Sequence, residues 1–394
     1  MKKKYVNKKN LYNILIFFIL IISLFNIVKS RQIPNLLSFK EEKISVSKEY
    51  QNLINYIQSN GGYVNPKLTP NEISNSNRYI ITKEKIKKDE ILLFSPDSIL
   101  ISKFHTSVFQ KCREAYGFEE EYDYDCLVYF MTIDKYNSTS KFKPYYDYLP
   151  VMDKSEFVFS FSEEEVAMFK DTGITDGIGM YHRFLDKALR PVEEKLKKFA
   201  KKQNIQYEKI LEEFKNNFLL VGTRNFGRPN CYCDISTMVP FLDLLNHSDK
   251  NNTHWYYDEK KGGYILIAIR DIEKNEEITD SYGVMYNSYL YKTYGFVIPG
   301  NINHDNLYVK INGESINLNV DNIDTTVNRL FQKLTKQKNF EFNDAKNLIL
   351  HDLNDKKNYY LQLKTNRFAL NVIFKEHLDI INEFINYTKN YNKL

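Results

Sequence analysis

The longest uninterrupted apolar run lies at the start of the chain. Ile14–Phe25 is broken only by Ser23, and Lys2-Lys3-Lys4 and Lys8-Lys9 precede it. An apolar core of this length behind a basic flank has the form of a signal-peptide h-region and is short for a membrane span. Val28-Lys29-Ser30 suits a small-x-small cleavage site, whereas counting from Leu11 to Val28 describes a signal anchor with its basic end in the cytosol. Residues 1–30 are therefore expected to route the chain into the secretory pathway or a membrane. Cleavage and anchoring both stay open, as does an organelle reached through that pathway, because Lys29–Lys48 is basic with several hydroxyls.

Residues 31–48 read as a polar linker, and the folded part is expected from Glu49, where Leu53, Ile54 and Ile57 fall at helical spacing. Short strand-like runs follow at Arg78–Thr82, Glu90–Phe94 and Ser98–Ile101. From about 108 to 221 the period becomes helical. Ser162 and Glu165 form a capping box ahead of Val166, and Arg183–Phe199 and Tyr207–Phe218 carry apolar residues at three- and four-residue spacing. Two further strand-like segments, His254–Asp258 and Tyr264–Ile269, flank the turn Glu259–Gly263. Beyond Pro299, Leu307–Ile311 and Glu314–Leu318 suggest a hairpin. Thr325–Lys336, Asn343–Asn354, Asn358–Lys364 and Asn366–Tyr391 then read as helices.

Composition narrows this picture only modestly. With 43% hydrophobic and 27% charged residues the chain is an ordinary globular one, long enough for a large core. A net charge of +5 is spread over 55 basic and 50 acidic side chains, which fits a solvated surface and does not point to nucleic acid. The four cysteines, Cys112, Cys126, Cys231 and Cys233, include no C-x-x-C pair, so zinc-site spacing is missing and no metal is expected. Buried reduced thiols are the favoured reading, with a Cys112–Cys126 disulfide as the alternative. The tripeptides at Asn137, Asn251 and Asn386 match the N-glycosylation acceptor, a weak signal in an asparagine-rich chain. No G-x-S-x-G, H-E-x-x-H or P-loop supports a hydrolase.

The stretch from Val239 to Phe296 is where chemistry concentrates. V-P-F-L-D-L-L-N-H-S carries Asp243, Asn246 and His247 on an apolar run, and an unpaired buried polar group costs about 1–3 kcal/mol. I-T-D-S-Y-G and N-S-Y-L-Y-K-T-Y-G-F then place Tyr282, Tyr294 and Phe296 close together. These segments resemble, in order and spacing, the SET-domain protein methyltransferases of the Rubisco large-subunit methyltransferase-like and actin-histidine methyltransferase group. Thr223-Arg224-Asn225-Phe226, K-P-Y-Y-D-Y-L-P (Lys143–Pro150) and F-S-E-E-E-V-A-M-F (Phe161–Phe169) extend the likeness. It covers about Glu49 to Asp305 well and the C-terminal segment loosely.

The resemblance implies an α+β fold: a SET domain over 49–299 with a helical insert at about 108–221, and a small helical substrate-binding-like domain over 300–394. It implies S-adenosylmethionine as cofactor and a protein side chain as substrate, taken by a monomer. Tyr282 would be the catalytic tyrosine. Arg224 would meet the cofactor carboxylate, a task that guanidinium geometry suits. Asn246 and His247 would contact its amino-acid and adenine ends, Asp243 would order the loop, Tyr294 would close the channel, and Phe296 would lie against adenine. Lysine methylation is the leading activity. Histidine methylation is the alternative, decided by pocket residues around Gly227–Asp234, and a non-enzymatic binding module is a third reading. The last draws on Asn75-Ser76-Asn77, which stands where relatives carry a glycine-rich cofactor loop.

Overall fold

The computed structural model describes residues 46–72, 78–117, 123–227, 236–301 and 305–392. The expected leader, most of the linker, the Asn75–Asn77 segment and all of Gly227–Asp234 but Gly227 lie outside the described residues. Among the described residues no helix is long and apolar enough to cross a membrane.

Helix α1 (Lys48–Ser59) opens the fold, capped by the Ser47 hydroxyl and burying Leu53 and Ile57. Strands β1 (Tyr63–Val64), β2 (Leu68–Glu72), β3 (Arg78–Thr82) and β4 (Ile91–Pro96) follow. The expected strand at Ser98–Ile101 is not one. Asp97–Ile99 forms a 3-10 turn, and only Ile101 pairs, across a single bridge to Met238. A bridge partner more than a hundred residues away is not visible in local pattern.

The insert comprises α2 (Thr106–Tyr116), α3 (Asp123–Asp134), α4 (Lys143–Tyr146), α5 (Glu163–Phe169), α6 (Asp176–Leu189), α7 (Glu193–Gln203) and α8 (Tyr207–Arg224). The Ser162–Glu165 capping box forms at α5 as expected. Arg183–Phe199, expected as one helix, is two: the chain breaks at Arg190-Pro191-Val192, because Pro191 has no N–H to continue the helical ladder. Cys112 and Cys126, on α2 and α3, are joined as a disulfide with Cα atoms 5.2 Å apart, a correction to the reduced reading that follows from the two helices packing side by side.

The remainder of the SET region is strand-rich: β5 (Asn225–Phe226), β6 (Thr237–Met238), β7 (Asn246–His247), β8 (Thr253–Asp258), β9 (Gly263–Ala268) and β10 (Glu277–Asp280). One four-stranded sheet has the order β1-β4-β9-β8 and a second β2-β3-β10-β7. All pairings are antiparallel except β7 with β10, where Asn246 faces Thr279 and His247 faces Asp280. That parallel pairing brings the N-H dipeptide beside the approach to Tyr282.

Helix α9 (Asn287–Tyr294) leads into the C-terminal part: the β11 (Leu307–Ile311) and β12 (Glu314–Leu318) hairpin, α10 (Ile323–Gln332), α11 (Phe342–Gln362) and α12 (Phe368–Asn390). The hairpin has the expected bounds. Asn343–Asn354 and Asn358–Lys364, expected as two helices, form the single α11, since Ile349, Leu353 and Tyr360 bury on it together.

Two apolar cores result. The first unites α1, both sheets and most of the insert. The second unites α10–α12 and the hairpin with Phe169 of α5 and Tyr291 of α9. The C-terminal helices therefore grip α9. Ser288 donates through its hydroxyl to Asp305 (2.9 Å), His377 joins Asp305 at 3.0 Å, and Tyr360 joins His377 at 2.8 Å, all buried. Asn287 pairs with both polar groups of the Ile298 backbone (2.9 and 2.8 Å).

Candidate active site

The chain reaches the site through a strained turn. Phe241 is fully buried with φ +75°, a conformation costing a non-glycine residue about 1–3 kcal/mol. The Ser95 hydroxyl holds the preceding Pro240 carbonyl at 2.9 Å. A short 3-10 turn, Leu242–Leu244, follows and delivers Asp243 to the interior. The Asp243 carboxylate accepts from the Tyr145 hydroxyl at 3.0 Å, which explains the K-P-Y-Y-D-Y-L-P segment of α4. Burial lifts the Asp243 pKa to about 6, while the nearby Arg224 guanidinium pulls it back.

Arg224 ends α8 and donates to the backbone carbonyl of Asp243. Among the described residues its Nε is buried with no partner, and so are Oδ1 of Asp243 and Nη2 of Arg78. Arg78 stacks on Tyr148, 4.5 Å from the ring centre, and feels both Arg224 and Asp243. Glu72 acts on Arg78 as well. Buried donors on both guanidinium groups suit a further carboxylate supplied by a ligand.

Tyr282 sits at the centre. Its hydroxyl donates to the Leu245 carbonyl at 2.8 Å, and its backbone N–H donates to Nδ1 of His247 at 3.0 Å. His247 therefore accepts through Nδ1, and burial lowers its pKa, so the neutral ring braces β7 against the turn after β10. Burial raises the Tyr282 phenol well above its ordinary value, keeping it protonated. Gly283 follows with φ +117°, a backbone geometry that side chains disfavour, so the chain turns away immediately after the tyrosine.

Y-G-F has an equally local cause. Tyr294 ends α9, and Gly295 caps it in the left-handed conformation (φ +81°) with its N–H on the Tyr291 carbonyl at 3.1 Å. Phe296 is thereby folded back. The ring of Tyr282 lies 5.1 Å from those of His247 and Tyr294, and Phe296 lies 6.2 Å from His247. Asn246 is exposed and donates to Glu277 at 2.9 Å.

Two hollows meet at this cluster. The larger, about 500 Å³, has Arg224, Asn246, Tyr282, Tyr294 and Phe296 among its lining residues. The smaller, about 220 Å³, is lined by Phe226, Asp243, Leu245, Trp255 and Asp280, among others. Thr223, Arg224, Tyr282 and Tyr294 line both, so Tyr282 and Tyr294 stand in the neck between them. Every residue expected at the site is gathered here, with Asp243 and His247 acting through their neighbours.

The profile of the SET domain matches residues 77–283. This chain belongs to the SET-domain family. Among SET-domain relatives it is 27% identical over 239 residues to N-lysine methyltransferase setd6 of Danio rerio, covering 57% of this chain and 52% of that protein. It is 23% identical over 286 residues to Ribosomal lysine N-methyltransferase 4 of Saccharomyces cerevisiae, covering 64% and 56%. The chain thus spans about half the length of the curated relatives it matches. The crystal structure of the SET domain of LSMT bound to lysine and AdoHcy superposes with a TM-score of 0.61 at 13% identity, over 88% of this chain and 92% of that one. Rubisco LSMT bound to AdoMet superposes at 0.62 and 14%, over 87% and 92%. The α+β SET fold with its C-terminal helices is accordingly that of this chain.

Arg78, Tyr145, Trp255 and Asp280 were not expected at the site. Asp280 left a trace in the sequence: alternation along E-I-T-D puts it on the same strand face as the fully buried Ile278. Arg78 left none, since an arginine opening a strand is ordinarily solvated.

Proposed function

We propose that this chain is an S-adenosylmethionine-dependent protein-lysine N-methyltransferase, working as a monomer on a protein substrate. The observation that carries the reading is the pair of hollows joined at Tyr282 and Tyr294, with a buried Arg224 Nε beside the neck that has no partner among the described residues. The names of the relatives, N-lysine and ribosomal lysine methyltransferases, support it. So does the presence of AdoMet, AdoHcy and lysine in the solved neighbours.

The larger hollow fits the cofactor. Arg224, backed by Arg78, would take its carboxylate, Asn246 its amino-acid end, and Phe296 its aromatic base. When bound, S-adenosylmethionine supplies a methyl on a sulfonium centre, and a neutral amine accepts it as the carbon–sulfur bond breaks. The protein's part is to hold the nitrogen in line and exclude water. With its proton committed to Leu245, the Tyr282 hydroxyl leaves its lone pairs to face the neck. It orients the amine and the polarised methyl without itself ionising. Tyr294 narrows the opposite side.

The test is calorimetry of the full chain with S-adenosylhomocysteine, followed by mass spectrometry of a proteome methylated with labelled cofactor. Binding weakened at least about tenfold by Arg224→Ala, with label on lysine, is the expected result. No binding near ~1 mM would leave the non-enzymatic reading; label on histidine would replace lysine.

Routing into the secretory pathway or a membrane belongs to the same proposal. Its supports are the basic and apolar N-terminus and the Cys112–Cys126 bond, a linkage that persists in oxidising compartments. Protease protection of a tagged chain in isolated microsomes tests it, and full digestion would overturn it.

A further inference from the structure

The smaller hollow contains a charge that the preceding roles do not use. Asp280 ends β10, is 4% exposed, and lines that hollow beside Trp255, Phe226 and Tyr282. Its backbone is spoken for: the Asp280 carbonyl accepts from Ser248 N–H at 2.9 Å, and the residue pairs with His247. Its carboxylate accepts from the Ser281 backbone N–H and the Trp255 side chain, with the exposed His254 side chain nearby. Among the described residues no lysine or arginine pairs with it. Asp243, the other carboxylate of the hollow, differs: Arg224, Arg78 and Tyr145 answer it.

A carboxylate taken out of water without a cation is costly, and such groups are retained where a ligand completes them. Its pKa is accordingly lifted to about 6 by burial, so it is largely ionised at neutral pH yet poorly solvated. The rings of Phe226 and Trp255 line the hollow with it: Phe226 lies 5.3 Å edge-on to Trp255, and Tyr264 backs Trp255 from the core at 5.7 Å. Aromatic faces with one anion at the base form a cup for a cationic side chain on an apolar stem.

We propose that Asp280 is a specificity-determining residue that holds the ammonium group of the side chain as it enters, before that nitrogen gives its proton to solvent water and becomes the neutral amine that accepts the methyl, so that the smaller hollow selects lysine over the uncharged imidazole of histidine. This role rests on the methyltransferase reading of the larger hollow, whose neck at Tyr282 both hollows share. Asp280 lines the smaller hollow alone, whereas Asn246 and Phe296 line only the larger. Its loss should act on substrate affinity and spare cofactor affinity.

The experiment uses the full chain saturated with S-adenosylhomocysteine and three probes: the methyl esters of Nα-acetyl-lysine, Nα-acetyl-norleucine and Nα-acetyl-histidine. Norleucine keeps the stem and lacks the charge. The lysine probe should bind at least about tenfold more tightly than either of the others, the scale of one charge-assisted hydrogen bond. Asp280→Asn should bring lysine to within about twofold of norleucine while S-adenosylhomocysteine affinity stays unchanged. A lysine preference that survives Asp280→Asn overturns the proposal, and so does a wild-type protein that binds norleucine or histidine as well as lysine. The wild-type comparison decides the matter even if the variant does not fold. Failure of the wild type to bind S-adenosylhomocysteine at all is a different result, and it overturns the methyltransferase reading itself.

Discussion

Replacing Tyr282 by phenylalanine removes one oxygen and nothing else, which makes its consequences easy to separate. In the fold that oxygen makes one hydrogen bond, to the Leu245 carbonyl at 2.8 Å. Its loss should cost about 1 kcal/mol of stability, equivalent to a fall in Tm of about 1–2 °C in a chain of this size. The ring keeps its neighbours, with His247 and Tyr294 each 5.1 Å away, so the larger hollow keeps its shape. S-adenosylhomocysteine should then bind within about twofold of wild type, as expected when no charged contact is altered. Transfer is another matter. Removing one preorganised polar group from a water-excluded reacting centre typically costs about 10²–10³ in kcat, or about 3–4 kcal/mol. Single-turnover transfer of labelled methyl, calorimetry and thermal melts read the three quantities on one preparation. Because burial holds the Tyr282 phenol well above its ordinary pKa, the wild-type rate should show no limb at neutral pH from its ionisation. Transfer within about threefold of wild type, or affinity and rate falling together, would refute a role at the reacting centre and make Tyr282 a packing residue.

Three further outcomes follow from the structure. His377→Ala strips the buried Asp305 and Tyr360 of their shared partner and should cost about 3–5 kcal/mol in a urea melt; an unchanged midpoint would mean that the network is not holding α9. Gly295→Ala forces a side chain into φ +81° with a Cβ 3.4 Å from Glu156 and Phe157, so about 1–2 kcal/mol should be lost, with S-adenosylhomocysteine binding weakened because Phe296 is displaced. Burial raises the Asp125 pKa to about 6, with Lys187 opposing, so the folded chain holds more protons than the unfolded one between about pH 4 and pH 6. Stability from this group is complete at the acid end and is lost as pH rises through that window. Asp125→Asn should therefore gain on wild type between about pH 4.5 and about pH 7.5, by at most about 3 kcal/mol; a gap that does not change with pH would refute the burial of its charge.

The disulfide illustrates the limit of spacing arguments. Fourteen residues separate Cys112 from Cys126, which neither demands nor forbids a bond. Only the side-by-side packing of α2 and α3 brings their Cα atoms to 5.2 Å. The expected strand at Ser98–Ile101 failed for a related reason. Its apolar residues are buried, but they are buried by a turn, with one bridge to Met238.

What the chain states by itself is whatever its near neighbours decide. The β11–β12 hairpin, β3 and the capping box at Ser162 all depend on contacts within a few residues, and each formed where the pattern placed it. Part of the candidate site was legible too, because Arg224, Asn246-His247 and Tyr282-to-Phe296 stand in motifs, whereas Arg78 and Trp255 do not. What only the tertiary structure decided is how those motifs meet. Strands β5, β6 and β7 are two residues each, too short for local propensity to specify, and they exist because distant segments pair with them. The parallel register of β7 on β10 sets His247 opposite Asp280, places Tyr282 in a neck, and leaves Asp280 buried with no lysine or arginine partner among the described residues. Burial and charge compensation are properties of everything that surrounds a residue, and most of what surrounds these residues comes from elsewhere in the chain.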